Sequence, residues 1–395
     1  MKNLLIISTA YPRYKGDFYA IFVKELVENL KNINTTVLAP HDPLLKEEIS
    51  NINVKRFHYF YPLNLQKLAY ALLPNLRKNP LLLIELPFFL LSFLFSTIKL
   101  VKKNKFDIIN SQWLIPSGLI GALCKKLFKI KHVLTTHGSD LETLNKIPFK
   151  KQLANFIFSN SDHIFFVSSY SKNLFKNLIK NEYKKELHKK SLILPMGVYT
   201  NKLRSKNSVS KIKKLYNIKT DKNIIYIGRI EKRKGLNYLI DAMPVIIKKI
   251  NAILFILGEG PGKKAFEFKV KKLNLQNNIK FLGHTYGQKK LDLFKLADIF
   301  VNPSLAEGVP VAILEALSNG KAIIATNVGG VSDAIKNDYN GLLIKPSSKE
   351  EISNAIIKLF NNFKLMKKLS KNALKISKNY DWKIVANEYQ LIFNK

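Results

Sequence analysis

The segment that most clearly indicates the fold is Ile224–Gly235, which reads IIYIGRIEKRKG. Four apolar residues predict a buried strand, and Gly228 and Arg229 follow at its carboxyl end. Open α/β sheets bind ligands outside the carboxyl ends of their strands. Arg229 and Lys234 would therefore supply two cations suited to a diphosphate, whose negative charge grows as it becomes a leaving group. Taken alone, the pair is also explained as two surface cations of a lysine-rich protein.

A second polar loop follows the strand predicted at Ile299–Val301. It contains Glu307-Gly308-Val309-Pro310 and opens a helix that includes Glu315. Gly308 lets backbone N–H groups approach a ligand, and a helix N-terminus favours phosphate oxygens. Glu307 and Glu315 are about two helical turns apart, so we expect both on one side of the segment, where a carboxylate can accept hydrogen bonds from vicinal hydroxyls. Alone, an acid complementing the helix dipole and one solvated glutamate explain the same pattern.

Other predicted strand ends carry glycine or histidine. Gly258 opens the run GEGPG, which lacks the Lys-Ser/Thr of a Walker loop and is weak evidence for a phosphate site. His137 lies in the run THGSD after a strand, where it could hydrogen-bond a sugar hydroxyl. The other histidines and the single Cys124 show no metal-ligand spacing, so we expect neither a metal site nor a cofactor.

Short apolar runs alternate with longer amphipathic stretches along the whole chain. The runs that predict buried strands are Leu4–Ser8, Thr36–Ala39, Ile108–Ser111, His132–Thr136, His163–Ser168, Asn223–Ile227, Ala252–Leu257, Ile279–Leu282, Ile299–Val301, Ala322–Ala325 and Gly341–Ile344. Helices are predicted between them, for example at Ala20–Lys31, Gly118–Phe128 and Lys172–Tyr183. Strand followed by helix, many times over, predicts an α/β protein with parallel sheets covered on both faces.

A chain of 395 residues is long enough for two such domains. The predicted boundary lies near residue 200, where Pro195-Met196-Gly197 ends a strand-like run and precedes the polar, lysine-rich segment Asn201–Lys214. We therefore expect an N-terminal domain at residues 1–199 and a second domain at residues 200–380. The final helix, residues 381–395, is expected to pack back on the first domain through Trp382 and Tyr389.

Taken in order, these motifs resemble those of glycosyltransferase family 4, whose members are retaining enzymes of the GT-B fold, with two Rossmann-like domains facing across a cleft. The resemblance covers nearly the whole chain. The matching segments are Tyr11-Pro12 with Gly16, Ser111-Gln112-Trp113, His137–Asp140, Pro195–Val198, Gly228-Arg229 with Lys234-Gly235, Gly258–Pro261, Pro303-Ser304, Glu307–Glu315 and Gly329-Gly330-Val331. The chain departs from the family pattern at Asp17, where a second glycine is frequent, at Tyr199 and Asp333, where the family usually has Asp and Glu, and at Lys321, where Pro is common.

The resemblance implies roles for individual residues. Arg229 and Lys234, with Gly228 beside them, would bind the donor diphosphate in place of a metal. Glu315 would hold the ribose, and Glu307, with the backbone of Gly308 and Val309, would contact the transferred hexose. His137 would contact the hexose as well, and Gly16 and Gly258 would approach the donor. The implied reaction is transfer of a hexose-type sugar from a nucleotide diphosphate, with retention, to a lipid-linked acceptor or a growing cell-surface glycan.

The formal net charge of +37 is extreme and indicates either a generally basic surface or an anionic partner. The apolar run Leu86–Phe95 and the lysines 172, 176, 180 and 184, expected on one helix face, favour an anionic membrane surface. A buried core helix with solvated lysines would give the same pattern. The single cysteine and the short apolar run at the N-terminus predict a cytoplasmic protein, peripheral on the inner face of the membrane.

Two other functions remain compatible with the sequence. The first is a GT-B-fold sugar-nucleotide epimerase, against which the paired glutamates with Arg229 and Lys234 favour a transferase. The second is a basic nucleic-acid-binding protein, but no surface with interleaved basic and aromatic residues is recognisable, so we expect no nucleic-acid partner.

Overall fold

The structure is a computed structural model that describes residues 1–17, 19–46, 52–70, 72–200 and 204–395. It divides into two compact units, the first formed by Met1–Pro195 with Trp382–Lys395 and the second by Met196–Asp381. The division lies a few residues before the boundary expected at 199/200. The first three residues of the predicted lysine-rich segment, 201–203, lie outside the described residues.

The first unit contains a parallel sheet of seven described strands. These are β1 (Lys2–Ile7), β2 (Ile33–Pro40), β3 (Asn53–Phe57), β4 (Ile108–Gln112), β5 (Lys131–Thr136), β6 (His163–Phe166) and β7 (Ser191–Ile193), in the order β3-β2-β1-β4-β5-β6-β7. The order reverses between β1 and β4. Ligands bind at such a switch point in open α/β sheets, outside the carboxyl ends of the strands.

Helices cover both faces of this sheet, as parallel strands require. They are α1 (Ile21–Asn29), α2 (Leu72–Lys78), α3 (Glu85–Lys103), α4 (Leu119–Phe128), α5 (Ser139–Leu144), α6 (Lys150–Ser159), α7 (Ser169–Lys176) and α8 (Tyr183–Lys189). The last helix of the chain, Trp382–Asn394, also belongs to this unit. Its Trp382 indole donates to the Glu25 carboxylate of α1 at 3.1 Å, and its Tyr389 ring lies 4.2 Å from that of Phe165 in β6.

The second unit has a parallel sheet of six described strands with the order β10-β9-β8-β11-β12-β13. They are β8 (Lys222–Ile227), β9 (Ala252–Leu257), β10 (Ile279–Phe281), β11 (Ile299–Asn302), β12 (Ala322–Thr326) and β13 (Leu342–Ile344). The helices are α9 (Val209–Leu215), α10 (Leu236–Lys249), α11 (Lys263–Lys272), α12 (Gly287–Leu296), α13 (Val311–Ser318), α14 (Val331–Ala334), α15 (Lys349–Asn361) and α16 (Phe363–Ser377), and the chain's last helix, named above, is α17. The switch point lies between β8 and β11.

Side chains from alternate positions of each central strand enter opposite hydrophobic cores. In β8, Ile224 and Tyr226 pack in one core with α10 and α15, while Ile225 packs in the other with α12 and α13. The central strands are therefore buried on both faces, which accounts for their continuous apolar sequences. All six strands predicted in the second unit are present within a residue or two of the predicted bounds.

Three sequence predictions need correction in the first unit. Strand β3 was not predicted, because it is a short edge strand with little apolar sequence, whereas β7 corresponds to the strand-like run that ends at Pro195. The helix expected at Lys172–Tyr183 ends at Lys176, since the buried Leu178 and Ile179 turn the chain into the core before α8 begins. The lysines at 172, 176, 180 and 184 therefore do not form a stripe on one helix.

The apolar helix α3 is longer than the sequence indicates. Glu85 and Pro87 do not interrupt it, because Pro87 lies in the first helical turn, where no intrahelical N–H bond is needed. Glu85 is buried and accepts hydrogen bonds from the backbone N–H groups of Lys67 and Leu68 at 3.1 Å each. The helix lies on the surface, with one stripe buried against the domain and another exposed.

Candidate functional site

The switch point of the second unit brings the two polar loops of the sequence together. The loop after β8 carries Arg229 and Lys234, and the loop after β11 carries Glu307. Lys234 Nζ lies 2.6 Å from Glu307 Oε1, and both side chains are largely buried, with 18% and 7% of their surface exposed. Residues 73 positions apart in the chain thus form one ion pair at the place where this sheet topology binds ligands.

Ser304 is a site residue that the sequence analysis named only as part of a motif. Its hydroxyl donates to the same Glu307 Oε1 at 2.7 Å, and its backbone carbonyl accepts from the Thr326 hydroxyl of β12. The Glu307 carboxylate is therefore held on one oxygen by two donors. Its other oxygen has no protein partner among the described residues.

Arg229 has a more open setting than Lys234. Its side chain is 40% exposed, and its guanidinium lies 3.8 Å from Glu231, a loose ion pair. The Arg229 backbone is held by a hydrogen bond that the buried Tyr226 hydroxyl donates to the Arg229 carbonyl at 3.0 Å. The guanidinium is thus positioned at the end of β8 and remains accessible to an anion.

Glu315 and Glu307 do not lie along one helix face, contrary to the sequence prediction. Helix α13 begins at Val311, after Pro310 in an extended conformation, so Glu307 belongs to the preceding loop and only Glu315 to the helix. Glu315 pairs instead with Lys290 of α12, at 2.6 Å from Nζ to Oε1. Lys290 is a second residue that the sequence did not reveal, because its proximity depends on how α12 packs beside α13.

Glycine lets the loops of this site approach each other closely. At Gly329, with φ of +55°, a Cβ atom would lie 1.8 Å from the Glu307 carbonyl oxygen. At Gly258, with φ of +151°, it would lie 1.9 Å from the Gly228 carbonyl oxygen. No other residue fits either position without moving the neighbouring loop.

Two backbone N–H groups next to Glu307 are a further feature of the site. The Gly308 carbonyl accepts from Gly330 N at 2.9 Å. Within the part of the chain that the structure describes, the N–H groups of Gly308 and Val309 donate to no protein acceptor. They lie beside Glu307 and directly before α13, where an anionic or hydroxyl oxygen would satisfy them.

In the first unit, the loop after β1 is held by a buried arginine. Arg13 forms an ion pair with Asp17 at 2.7 Å and lies 3.4 Å from Asp42, which follows β2. Gly16 lies within this loop at φ of +93°, is exposed, and has open space around its Cα. Arg13 therefore fixes the shape of the loop that presents Gly16, a role that the sequence analysis did not assign.

His137 follows β5 and packs between two aromatic rings. Its ring centroid lies 4.7 Å from those of Phe22 and Trp113, and its Nε2 lies 2.9 Å from Gln112 Oε1. Burial lowers the pKa of His137 to about 3, so the imidazole is neutral at physiological pH. Trp113 has φ of +71°, an uncommon backbone conformation for a bulky residue that tends to occur at functional sites.

Of the predicted site residues, the structure joins Lys234 and Glu307 directly. Arg229 and Glu315 lie in the same unit but are paired with Glu231 and Lys290. His137 and Gly16 belong to the first unit. Among the described residues, no group of three or more His, Cys, Asp or Glu side chains is arranged to hold a metal ion.

Family models match both halves of the chain. Residues 20–184 match the model described as Glycosyltransferase Family 4, and residues 208–376 match the model described as Glycosyl transferases group 1. An uncharacterized glycosyltransferase of Methanocaldococcus jannaschii is 30% identical over 388 residues, which cover 95% of this chain and 93% of the relative.

Two further comparisons carry names that bear on substrates. The Escherichia coli UDP-Gal:alpha-D-GlcNAc-diphosphoundecaprenol alpha-1,3-galactosyltransferase is 27% identical over 292 residues, covering 71% of this chain and 72% of that protein. The crystal structure of Anabaena HepE in complex with UDP superposes with a TM-score of 0.78 at 16% identity, over the full length of both chains. That likeness concerns the fold.

Proposed function

The chain belongs to glycosyltransferase family 4, a family of GT-B-fold enzymes, and on that premise we propose that it transfers a hexose-type sugar from a nucleotide diphosphate, with retention of anomeric configuration, to a lipid-linked acceptor or a growing glycan. The observation that carries this proposal is the Lys234–Glu307 pair at the switch point of the second unit. A cation and a carboxylate side by side suit the two parts of the donor, a diphosphate and a sugar with hydroxyl groups.

The donor diphosphate is assigned to Arg229 and Lys234. Arg229 offers an exposed fork of N–H donors, and Lys234 offers an ammonium in a drier setting. Both cations gain interaction energy as the β-phosphate acquires charge during bond cleavage, so the reaction needs no metal ion. The UDP complex of the structurally similar HepE supports a nucleotide-sugar donor.

The transferred sugar and the ribose are assigned to the two glutamates. The free oxygen of Glu307 and the unpaired N–H groups of Gly308 and Val309 are suited to hexose hydroxyls. Glu315 accepts hydrogen bonds from the ribose hydroxyls. These hydrogen bonds replace its ion pair with Lys290 or form beside it.

A membrane surface is the partner that the exposed stripe of α3 fits. Pro80–Lys103 has the length and composition of a membrane span, with a mean hydropathy of 2.2 over its most apolar window. Along α3, large apolar side chains recur on the exposed face at helical spacing, namely Phe88 (52% exposed), Leu91 (51%) and Phe95 (63%), and the 3₁₀ turn Pro80–Ile84 before it adds Leu81 (74%) and Ile84 (61%). The exposed Lys99, Lys102 and Lys103 follow at the end of the helix.

The opposite face of α3 is anchored in the domain. Phe89 and Phe93 are fully buried, and Phe93 stacks on Phe57 of β3 at 4.8 Å. Crossing a bilayer would break these contacts and expose the polar bonds of Glu85. The helix therefore lies in the plane of the interface, with its apolar stripe inserted and its lysines at the anionic headgroups. We propose that the enzyme acts on the inner face of the membrane, where it could reach a lipid-linked acceptor of the kind named for the E. coli relative.

Vesicle sedimentation tests the membrane assignment. The wild-type protein should sediment with vesicles that contain phosphatidylglycerol, less with phosphatidylcholine alone, and less at high salt, because salt screens the lysines but not the apolar contact. The triple substitution of Phe88, Leu91 and Phe95 to Ser should lose most of the binding. Phe268→Ser, which changes an equally exposed phenylalanine (71%) in the second unit, is the matched control. A triple variant that binds as well as the control would refute the assignment.

Thermal-shift measurements with UDP-, GDP- and ADP-sugars test the donor assignment, because a ligand that binds only the native state raises the Tm. The donor found in this way is then incubated with lipid-linked and soluble acceptors. Acceptor-dependent release of the nucleotide diphosphate, together with an NMR spectrum that shows the donor's anomeric configuration in the product, supports retaining transfer. Interconversion of the donor sugar without an acceptor would instead indicate an epimerase.

A further inference from the structure

A chain of buried hydrogen bonds leads from the sheet of the first unit to His137. It begins at the backbone carbonyl of Val133 in β5, which accepts from Asn110 Nδ2 at 3.1 Å. Asn110 Oδ1 accepts from Gln112 Nε2 at 2.6 Å, and Gln112 Oε1 lies 2.9 Å from His137 Nε2. Asn110 and Gln112 are both fully buried in β4.

Each link of this chain has only one possible direction. A backbone carbonyl can only accept, so the Asn110 amide must turn its NH₂ group toward Val133 and its oxygen toward Gln112. Gln112 must then present its own NH₂ group to Asn110 and its oxygen to His137. Because an amide oxygen also only accepts, His137 Nε2 must carry the proton.

The other nitrogen of His137 is left as an acceptor. Desolvation disfavours the imidazolium, so a ring protonated at Nε2 has a bare lone pair at Nδ1. No hydrogen-bond partner of Nδ1 occurs in the described ranges of the chain. Phe22 and Trp113 contact the ring and prevent it from rotating freely.

We infer that Asn110 and Gln112 are positioning residues that fix His137 as the neutral, Nε2-protonated tautomer, so that Nδ1 accepts a hydrogen bond from a hydroxyl of the bound sugar. The last step rests on the proposed function, whereas the tautomer does not. The chain of hydrogen bonds also reaches α17, because Thr135 Oγ1 accepts from both Asn110 Nδ2 and the Tyr389 hydroxyl. Helix α17 thereby supports the end of the hydrogen-bond chain that is farthest from His137.

The tautomer can be measured in the wild-type protein. Long-range ¹H–¹⁵N correlation spectra of histidine-labelled protein distinguish a protonated from a bare ring nitrogen, and His137→Gln identifies the signals. We expect a protonated Nε2 and a bare Nδ1 between pH 5.5 and 8. A proton at Nδ1, or on both nitrogens, would overturn the inference whether or not the protein transfers sugar.

A charge substitution gives a second readout. In Gln112→Glu, the new carboxylate lies beside His137 and raises its pKa, so the ring becomes an imidazolium that donates at Nδ1 instead of accepting. If that pKa reaches about 7, kcat/KM should fall roughly tenfold from pH 8 to pH 6 relative to the wild type. Asp140 accepts a hydrogen bond from the His137 backbone N–H, and burial raises the pKa of Asp140 to about 6. Because Asp140 is present in both proteins, its effect on the pH profile cancels in this comparison.

The matched control is Gln152→Glu, which adds a carboxylate at an exposed position of α6. It should follow the wild-type profile. An identical pH profile for Gln112→Glu, with the raised pKa of His137 verified by NMR, would mean that Nδ1 does not meet the sugar. Loss of all transfer in every protein, with the expected tautomer present, would contradict the proposed function and leave the positioning chain standing.

Discussion

At the scale of single residues, the site uses a few charges in different settings. Lys234 is paired and largely buried, whereas Arg229 is exposed and loosely paired. A buried pair that loses one partner leaves an uncompensated charge, but an exposed cation can be removed with little effect on folding. The two cations of the proposed diphosphate site should therefore differ in their importance for stability.

Substituting Arg229 and Lys234 separately by Ala tests this difference. Each substitution should lower kcat/KM by about 10²–10³, since each contact to developing phosphate charge is worth about 2.7–4 kcal/mol. Lys234→Ala should also lower the free energy of unfolding by about 3–5 kcal/mol, because Glu307 stays buried without its partner. Lys232→Ala, on the same loop and exposed, serves as the control. Equal stability of Arg229→Ala and Lys234→Ala would argue against the importance of the buried pair.

Glu315 and Lys290 allow the proposed ribose contact to be separated from the ion pair. Glu315→Ala should weaken binding of the nucleotide diphosphate by roughly tenfold or more, as a hydrogen bond to a charged group contributes about 1.5–3 kcal/mol. Its kcat should change little, because ribose contacts are similar before and during transfer. Lys290→Met removes only the ion pair and should keep the affinity within a few-fold. Calorimetric titration of both variants decides the matter, and equal losses of affinity would show that only the ion pair is important.

At the scale of loops and helices, close packing of backbone segments shapes the site. The loop after β12 passes the loop after β11 so closely that Gly329 has no room for a side chain. The position of Glu307 thus depends on a residue that carries no functional group. Helix α3 shows the converse case, since its buried stripe fixes it to the domain and leaves the exposed stripe available to a partner.

Two glycines with similar positive φ angles test the contact at Glu307. Gly329 and Gly287 have φ of +55° and +58°, but a Cβ atom would meet the Glu307 carbonyl at the first and nothing within 4 Å at the second. Gly287→Ala should cost only the backbone strain, about 1 kcal/mol. Gly329→Ala should cost more and also weaken donor binding, because the Glu307 loop must move. Tm and donor affinity of the two variants are the measurements, and equal effects would exclude a special role of the contact.

At the scale of the whole molecule, the first unit contains several neutral histidines that are fully or partly buried. Burial lowers the pKa of His132 and His163 to about 4 and that of His137 to about 3, below the ordinary value of 6.5. At a pH between the pKa values in the folded protein and 6.5, the unfolded chain binds more protons than the folded one. The stabilising contribution of these groups is thus complete above about pH 6.5 and is lost as the pH falls toward 4.

Unfolding by urea between pH 7.5 and 4.5 should show this loss. The free energy of unfolding should decrease steadily with acidification, although Asp140, whose pKa is raised to about 6, acts in the opposite direction. His132→Gln should flatten part of the slope, because His132 is fully buried between Ser111 and Asn160. His188→Gln, at an exposed position, should leave the slope unchanged. Stability that is independent of pH over this range would contradict the prediction.

The sequence by itself determined the alternation of strands and helices, the parallel sheets and the family. Buried strands such as β8 and β11 are continuously apolar, and the residues that follow them, Arg229 and Glu307, lie at strand ends whatever the packing. The ordered motifs are local patterns of the same kind, and local patterns can be read from one chain. The edge strand β3 escaped prediction because pairing with a neighbour, rather than its own composition, makes it a strand.

Only the tertiary structure decided which side chains meet. The contact of Lys234 with Glu307 depends on the order of β8 and β11 in the sheet, and that of Glu315 with Lys290 on the packing of α12 beside α13. The direction of the hydrogen bonds behind His137 likewise required three neighbouring segments at once. Such contacts join residues far apart in the chain, so their geometry is set by the packing of the whole domain, which no local pattern specifies.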